Sequence, residues 1–224
     1  MRNSRNIFGN EYNKRIKYIR KLYNNCEDEL LKTIRLQSAY EGFPVTITQE
    51  EGLLLSILVE ISKVKNILEI GTLFGYSTIW LARATGEDGK ITTIEADKYD
   101  CKIAKDNFKK ANIIDKVNLL QGSALKILPA LQNNAFDMFF IDADKINYIY
   151  YLDYAEKMLK KGGLIVADNT FLSGAVCLDY LPNRIRQTTQ DNMKKFNKRL
   201  SDKTKYKSII LNNSEGLSIG IKLF

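Results

Sequence analysis

Two short polar runs, each directly after an apolar segment, carry the side chains of this chain best suited to hold a cation. One begins at Asp142, after Ile141, and the other is Asp168 and Asn169, after Ala167. Carboxylate and amide oxygens are the ligands that Mg²⁺ prefers, and two carboxylates leave positions in its octahedron for water or a substrate. The runs therefore predict a site for a hard metal ion. The alternative is a set of polar residues that cap strand ends.

The composition narrows the chemistry further. The chain has no histidine, which excludes Ser-His-Asp triads, Cys-His pairs and every histidine-ligated metal. Its three cysteines, Cys26, Cys101 and Cys177, are widely spaced, so neither a disulfide framework nor a zinc knuckle is indicated. Catalysis must then depend on carboxylates, amides, hydroxyls, lysines or a hard metal ion.

A glycine turn and an acid form a second group of candidates. Gly71 follows the apolar run that ends at Ile70, where a glycine permits a tight turn and the close approach of a ligand. The turn matches neither the GxGxxG nor the P-loop pattern, so a dinucleotide or a nucleoside triphosphate is not indicated. Glu95 ends the next apolar run, and its two oxygens could accept hydrogen bonds from both hydroxyls of a ribose. An acid on a solvated rim is the alternative.

These residues lie at the ends of short apolar runs that alternate with helical patterns. Such alternation indicates a parallel sheet with both faces covered. Ligands of doubly wound sheets bind beyond the carboxyl ends of the strands, where the candidates would meet. The predicted strands are Asn66–Ile70, Ile91–Glu95, Val117–Gln121, Phe136–Ile141 and Gly163–Ala167, and the predicted helices are Tyr76–Ala84, Cys101–Ala111, Ala124–Leu131, Tyr148–Leu159 and Thr188–Asp202.

The two ends of the chain complete the predicted architecture. Helical spacing of apolar residues over 10–40 and 48–62 indicates an N-terminal extension, and Thr48 with Glu51 has the pattern of a capping box. Ser208–Leu211 and Leu217–Leu223 flank a turn-rich segment and predict a hairpin. We expect one α/β domain over residues 1–224: a doubly wound, Rossmann-like, seven-stranded and mostly parallel sheet with a C-terminal antiparallel hairpin, preceded by a helical extension over residues 1–45.

The net charge is +8, and basic residues cluster at 14–21 and 194–207. A lysine-rich, solvated surface explains this charge, and attraction to a nucleic acid is the alternative. The N-terminal segment lacks the apolar core of a signal peptide, and no run approaches the roughly 18 apolar residues of a membrane span. A soluble, cytoplasmic protein that does not bind membranes is expected.

The segment from Ile47 to Val176 resembles the caffeoyl-CoA and catechol O-methyltransferase family, whose members use S-adenosylmethionine (SAM) and a divalent metal. The matching runs, in order, are LEIGTLFGYS, ITTIEAD, QGSALKILPAL, FDMFFIDADK and GGLIVADNTFLSGAV. IDADK followed by ADN is the most diagnostic pair, because most SAM-dependent methyltransferases lack a metal site. Plant-type insertions are missing, so the chain looks like a bacterial branch of this family.

The resemblance implies a role for each candidate. Asp142, Asp168 and Asn169 match the metal ligands, with Mg²⁺ as the expected ion and Mn²⁺ or Ca²⁺ as alternatives. Lys145 matches the general base and, with Asp142, forms the expected catalytic pair. Ser173 stands where plant members place a substrate-contacting asparagine, which argues against a phenylpropanoid substrate. The residues that match SAM contacts are Ile47, Glu69, Gly71, Thr72, Ser77, Glu95, Ser123, Ala124, Asp142 and Asp144.

Several acceptors and assemblies stay open. A catechol-like or vicinal-diol small molecule is the leading prediction. A hydroxylated uridine of tRNA, favoured modestly by the charge, and a protein side chain are alternatives, and so is a SAM-binding module without catalysis. The presence of the metal-site residues argues against such a module. The resemblance also implies a homodimer. The apolar positions of the helical extension are compatible with a dimer surface or an active-site cover, and packing on its own sheet is the alternative. Phe171–Arg186 is expected to face the substrate and carries Tyr180, Leu181 and Arg184.

Overall fold

The computed structural model describes residues 14–23, 26–42, 47–213 and 215–224. Residues 14–22 are helical. The α-helices that follow in these ranges are α1 (Glu29–Tyr40), α2 (Gln49–Ile61), α3 (Tyr76–Ala84), α4 (Lys98–Lys110), α5 (Ala124–Ile127), α6 (Tyr148–Met158) and α7 (Gln187–Leu200). The strands are β1 (Asn66–Ile70), β2 (Lys90–Glu95), β3 (Val117–Gln121), β4 (Phe136–Ile141), β5 (Leu159–Ala167), β6 (Tyr206–Leu211) and β7 (Leu217–Lys222).

All seven strands form one sheet in the order β3-β2-β1-β4-β5-β7-β6. The pairs from β3 to β5 are parallel, and β7 runs antiparallel to both β5 and β6. The strand order reverses between β1 and β4, which is the point where doubly wound sheets open a crevice for ligands. The predicted seven-stranded Rossmann-like fold with its antiparallel hairpin is therefore confirmed.

Each face of the sheet is covered by its own apolar core. Alternate residues of β4 point to opposite faces: Phe140 belongs to the core shared with α1–α4, and Phe139 to the core shared with α5–α7. Phe108 and Tyr148, fully buried on their respective sides, are among the largest side chains in these cores. Burial on both faces explains why β4 and the end of β5 are nearly continuous apolar runs.

Helix caps explain where two helices begin. The Thr48 side chain accepts a hydrogen bond from the Glu51 backbone N–H at 3.2 Å, and the Glu51 carboxylate accepts the Thr48 N–H at 2.7 Å. The predicted capping box is therefore confirmed. Helix α4 begins three residues before the predicted Cys101, because the Asp97 carboxylate accepts the N–H groups of Tyr99 and Asp100.

The other differences are boundary shifts. Strand β5 begins at Leu159, not at Gly163, because Leu159 pairs with Phe136 across a register shift in β4. In the described part of the helical extension, residues 23 and 26–28 are not helical, and residues 1–13, 24–25 and 43–45 of the predicted extension lie outside the described ranges. In the ranges that the structure describes, no helix combines the length and hydrophobicity needed to cross a bilayer.

Candidate functional site

The carboxyl ends of four neighbouring strands are joined by backbone hydrogen bonds just beyond the strands. The N–H of Asp142 donates to the carbonyl of Ile70 at 2.9 Å, and the N–H of Asp168 donates to that of Ile141 at 3.0 Å. On the other side, the N–H of Gly71 donates to the carbonyl of Ile94 in β2 at 3.0 Å. This row places the glycine turn and both predicted metal-binding carboxylates side by side on one edge.

Gly71 is required by its surroundings. Its φ of +95° lies in the left-handed region, which side chains with a Cβ rarely adopt. A Cβ at this position would lie 1.9 Å from the backbone oxygen of Asp142. The tips of β1 and β4 can therefore approach this closely only if the residue is glycine.

A cavity of about 570 Å³ opens at this edge, within the size range of small-molecule sites. Nine of the ten residues predicted to contact SAM line it; Glu69 is the exception. Lys145 and Asn169 also line it. The lining also includes Leu73, Tyr76, Asp100, Asn147 and Tyr151, for which the sequence predicted no role.

Glu95 is held in one orientation by backbone groups. One of its oxygens accepts the N–H groups of Thr72, at 3.2 Å, and Leu73, at 2.8 Å. The other accepts the N–H of Asp97 at 2.9 Å. The carboxylate therefore joins the ends of β1 and β2, and it borders the cavity with lone pairs that a ligand hydroxyl could use.

Glu69 lies behind the cavity wall. It is fully buried, and its carboxylate accepts hydrogen bonds from Ser77 at 2.6 Å and Thr78 at 2.5 Å. Burial raises the pKa of Glu69 to about 7, and the charge of Asp142 adds to the shift. Because Ser77 lines the cavity, Glu69 can act on a ligand there through the orientation of the Ser77 hydroxyl.

Lys145 is connected by hydrogen bonds to Asp142 directly and to Asp168 through Tyr148. Its ammonium donates to the Asp142 carboxylate at 3.0 Å and to the Tyr148 hydroxyl at 2.8 Å. That hydroxyl in turn donates to the backbone oxygen of Asp168 at 2.8 Å. The lysine side chain is only partly exposed, so its nitrogen is held at the cavity and is not a freely solvated surface charge.

Asp168 is a buried carboxylate among other acids. Burial is the largest cause that raises the pKa of Asp168 well above its usual range, and the charges of Asp142 and Glu51 raise it further. The charge of Lys145 lowers this pKa. Asn169 has a φ of +55° and donates its N–H to the Asp168 carboxylate at 2.7 Å. Glu51 was predicted only as a capping residue, and its second relation to the site depends on the tertiary fold.

The donor set fits a hard cation. Within the described ranges no three Asp, Glu or Cys side chains cluster as a metal group, so a metal here would depend on two carboxylates, the Asn169 amide, and water or substrate. That is a usual set for Mg²⁺. A divalent charge would also offset the repulsion between the Asp142 and Asp168 carboxylates.

The segment after β5 is held by side chains of α7 and by the β6–β7 turn. Gln190, buried in α7, donates to the carbonyls of Ala175 at 2.8 Å and Tyr180 at 3.1 Å. The Glu215 carboxylate accepts the backbone N–H of Ser173 at 3.0 Å and its hydroxyl at 3.3 Å. The predicted substrate-facing segment is therefore anchored at Ser173, Ala175 and Tyr180, while the Tyr180 side chain is exposed.

Comparisons with known proteins agree with this geometry. The family model described as O-methyltransferase matches residues 22–223. A relative from Niastella koreensis named catechol O-methyltransferase is 36% identical over 189 residues, which are 83% of this chain and 84% of the relative.

Two solved structures share the fold at 30% identity. The O-methyltransferase from Bacillus cereus in complex with SAH has a TM-score of 0.81, and the match covers 92% of this chain and 96% of that one. TomG from Streptomyces achromogenes, an O-methyltransferase involved in tomaymycin synthesis, was solved in complex with SAM. It has a TM-score of 0.79, with 88% of this chain and 91% of that one covered.

Proposed function

This chain belongs to the O-methyltransferase family, and we propose that it transfers the methyl group of SAM to a hydroxyl of a catechol-like or vicinal-diol small molecule, with a divalent metal ion. One observation carries the proposal: nine predicted SAM contacts, among them the predicted metal ligand Asp142, line one cavity together with Asn169 and Lys145. Methyl transfer is an in-line displacement that needs cofactor and acceptor side by side, and this edge offers both places.

The cofactor half of the cavity lies over β1, β2 and the start of α5. Glu95, oriented by three backbone N–H groups, would accept the ribose hydroxyls. Ser123 and Ala124 would border the adenine, and Gly71 with Ser77 the methionine part. In the reaction the carbon–sulfur bond of the sulfonium breaks, a carbon–oxygen bond to the acceptor forms, and S-adenosylhomocysteine leaves.

The acceptor half lies over β4 and β5. Asp142, Asp168 and Asn169 would hold the metal, which when bound lowers the pKa of a hydroxyl and stabilises an oxyanion. Two adjacent oxygens on the acceptor would match such a site, because both can approach the same ion. Lys145, beside Asp142, is placed to receive the hydroxyl proton once its own ammonium has released a proton to solvent.

Replacing Lys145 by alanine tests its role as base. We expect kcat to fall about 100-fold, the lower end for general-base catalysis, while the Kd for SAM changes less than about twofold because Lys145 is not one of the residues predicted to contact SAM. Initial rates across pH and calorimetric SAM binding measure the two quantities. A kcat that equals that of the unmodified chain at every pH removes the assignment.

Removal of the metal tests the other half of the site. In EDTA we expect turnover to fall at least about 100-fold, because the oxyanion loses several kcal/mol of stabilisation, while SAM still binds. Added Mg²⁺ in excess should restore the rate, and this serves as the control against unfolding. Full turnover by protein shown to be metal-free contradicts the metal role.

The acceptor is identified by methyl transfer from tritiated SAM to parallel panels of catechols, total tRNA and cell protein. Label in the catechol panel supports the proposal. Label confined to tRNA or protein favours the corresponding alternative. Dimerisation stays a prediction of the resemblance, to be measured by light scattering.

A further inference from the structure

An ionic cluster away from the predicted metal ligands holds one wall of the cavity in place. The Glu27 side chain is 5% exposed, and its carboxylate accepts two hydrogen bonds from the Arg35 guanidinium, at 2.8 and 2.7 Å. The Tyr76 hydroxyl donates a third, short hydrogen bond to it. Burial raises the pKa of Glu27, but these hydrogen bonds more than offset burial and hold it below its usual value. Glu27 is therefore a charged group in a nearly closed setting.

Tyr76 connects this cluster with the cavity. It is the first residue of α3 and follows Gly75, which has a φ of +84°. Only 2% of Tyr76 is exposed, and it lines the cavity. One residue therefore contributes to the cavity wall and also binds the segment that precedes α1.

The same segment is tied at further points. Asp28 caps α1 by accepting the N–H of Leu31 at 2.9 Å, and it pairs with Arg83 of α3 at 2.7 Å. Helix α1 also packs near α4, and Asp100 of α4 lines the cavity. Residues 26–41 therefore run from the α3 wall of the cavity towards the wall that carries Asp100.

We propose that the Tyr76–Glu27–Arg35 cluster fastens residues 26–41 beside the cofactor cavity and that the Tyr76 hydroxyl and Glu27 are positioning groups for SAM retention. The inference rests on the proposed function, because it takes this cavity as the SAM site. The cluster contacts neither the metal-site residues nor Lys145 in the described hydrogen bonds, so it acts on how long the cofactor stays and not on the transfer step.

The chain offers a matched control. The Tyr206 hydroxyl donates to Glu156 at 2.5 Å, and Arg199 pairs with the same carboxylate. This second Tyr–Glu–Arg cluster joins α6, α7 and β6 and does not line the cavity. Tyr76→Phe and Tyr206→Phe each remove one tyrosine hydroxyl that donates to an arginine-paired glutamate. The two variants therefore differ mainly in whether the lost hydroxyl lies beside the cavity.

For Tyr76→Phe we expect the Kd for SAM to rise about tenfold, as loss of a hydrogen bond to a charged group suggests. The kcat at saturating SAM should change less than about twofold, and hydrogen exchange over 26–41 should become faster in the SAM-bound protein. Tyr206→Phe should leave the Kd for SAM and exchange over 26–41 unchanged. Calorimetry, steady-state kinetics and exchange mass spectrometry measure these quantities, with thermal unfolding to compare the stability of the two variants.

The outcomes separate this inference from the proposed function. If the unmodified chain binds SAM and Tyr76→Phe binds it equally well, the fastening role is wrong and the methyltransferase proposal stands. If both tyrosine variants weaken SAM binding alike, the effect is one of general stability, which also overturns the role. An unmodified chain that binds no SAM overturns both proposals.

Discussion

Replacing Asp168 by asparagine is expected to lower turnover about 100-fold or more, as loss of a metal ligand should, and to leave the fold at least as stable as before. Asparagine has nearly the same size and can still accept the N–H of Asn169. It removes a carboxylate that burial and neighbouring acids disfavour. An acid whose folded pKa exceeds its unfolded pKa opposes folding at every pH above the unfolded value, so its removal relieves that cost.

Asp137→Asn provides the opposite case. Asp137 lies near the amino end of β4 and accepts the N–H groups of Lys65 and Asn66, at 3.0 and 2.9 Å, and pairs with Lys160 at 2.7 Å. Burial raises the pKa of Asp137, but these contacts hold it below its usual value, so its charge stabilises the fold above the unfolded pKa and ceases to do so in acid. We expect this variant to lose about 1–3 kcal/mol of stability and to keep its kcat.

The two aspartate variants are compared by kcat in the presence of Mg²⁺ and, separately, by thermal unfolding near neutral pH in metal-free buffer. Asp168→Asn with full turnover contradicts the metal assignment. Asp168→Asn that unfolds as readily as Asp137→Asn shows that the carboxylate is structural.

Gly71→Ala is expected to lower the free energy of unfolding by about 3 kcal/mol or more, since left-handed strain and overpacking add, and to abolish measurable SAM binding. The new Cβ would meet the Asp142 backbone oxygen at 1.9 Å, and neither partner is a flexible side-chain end. The tips of β1 and β4 would have to separate, which would move the cavity wall and one metal-binding carboxylate together.

Gly162→Ala isolates the backbone strain from the clash. Gly162 has a φ of +81°, and a Cβ there would meet nothing within 4 Å. We expect a cost of about 1–2 kcal/mol, the usual price of a left-handed residue with a Cβ, and unchanged SAM affinity. Urea unfolding and calorimetry measure both variants, and equal losses at the two glycines would show that the contact with Asp142 can relax.

The strands that line the site were predictable because apolar runs end in polar or glycine residues at the sheet edge. The bounds of β1, β3 and β4 agree with the prediction residue for residue. The start of β5 was not predictable, because the pairing of Leu159 with Phe136 extends the strand through Lys160 to Gly163. The hydropathy pattern of a short segment does not show which distant residue that segment will pair with.

The site was predictable where one strand end supplies a whole feature, and not where distant elements converge. Glu69 sits in the motif run as expected, yet its recessed place depends on Ser77 and Thr78 of α3. Tyr151 reaches Asp144 from α6, a contact that appears only when the helix packs on the sheet. Glu51 comes near Asp168 from α2 in the same way.

Strand β7 lies between β5 and β6 although it follows both along the chain. During translation β5 therefore has an open edge, and strands with unpaired edges are sites of aggregation. The loop after β5 also depends on the turn before β7, because the N–H groups of Thr170 and Phe171 donate to the carbonyls of Gly216 and Glu215. A nascent chain stalled before β7 would therefore leave both the edge of β5 and the loop after it without these partners.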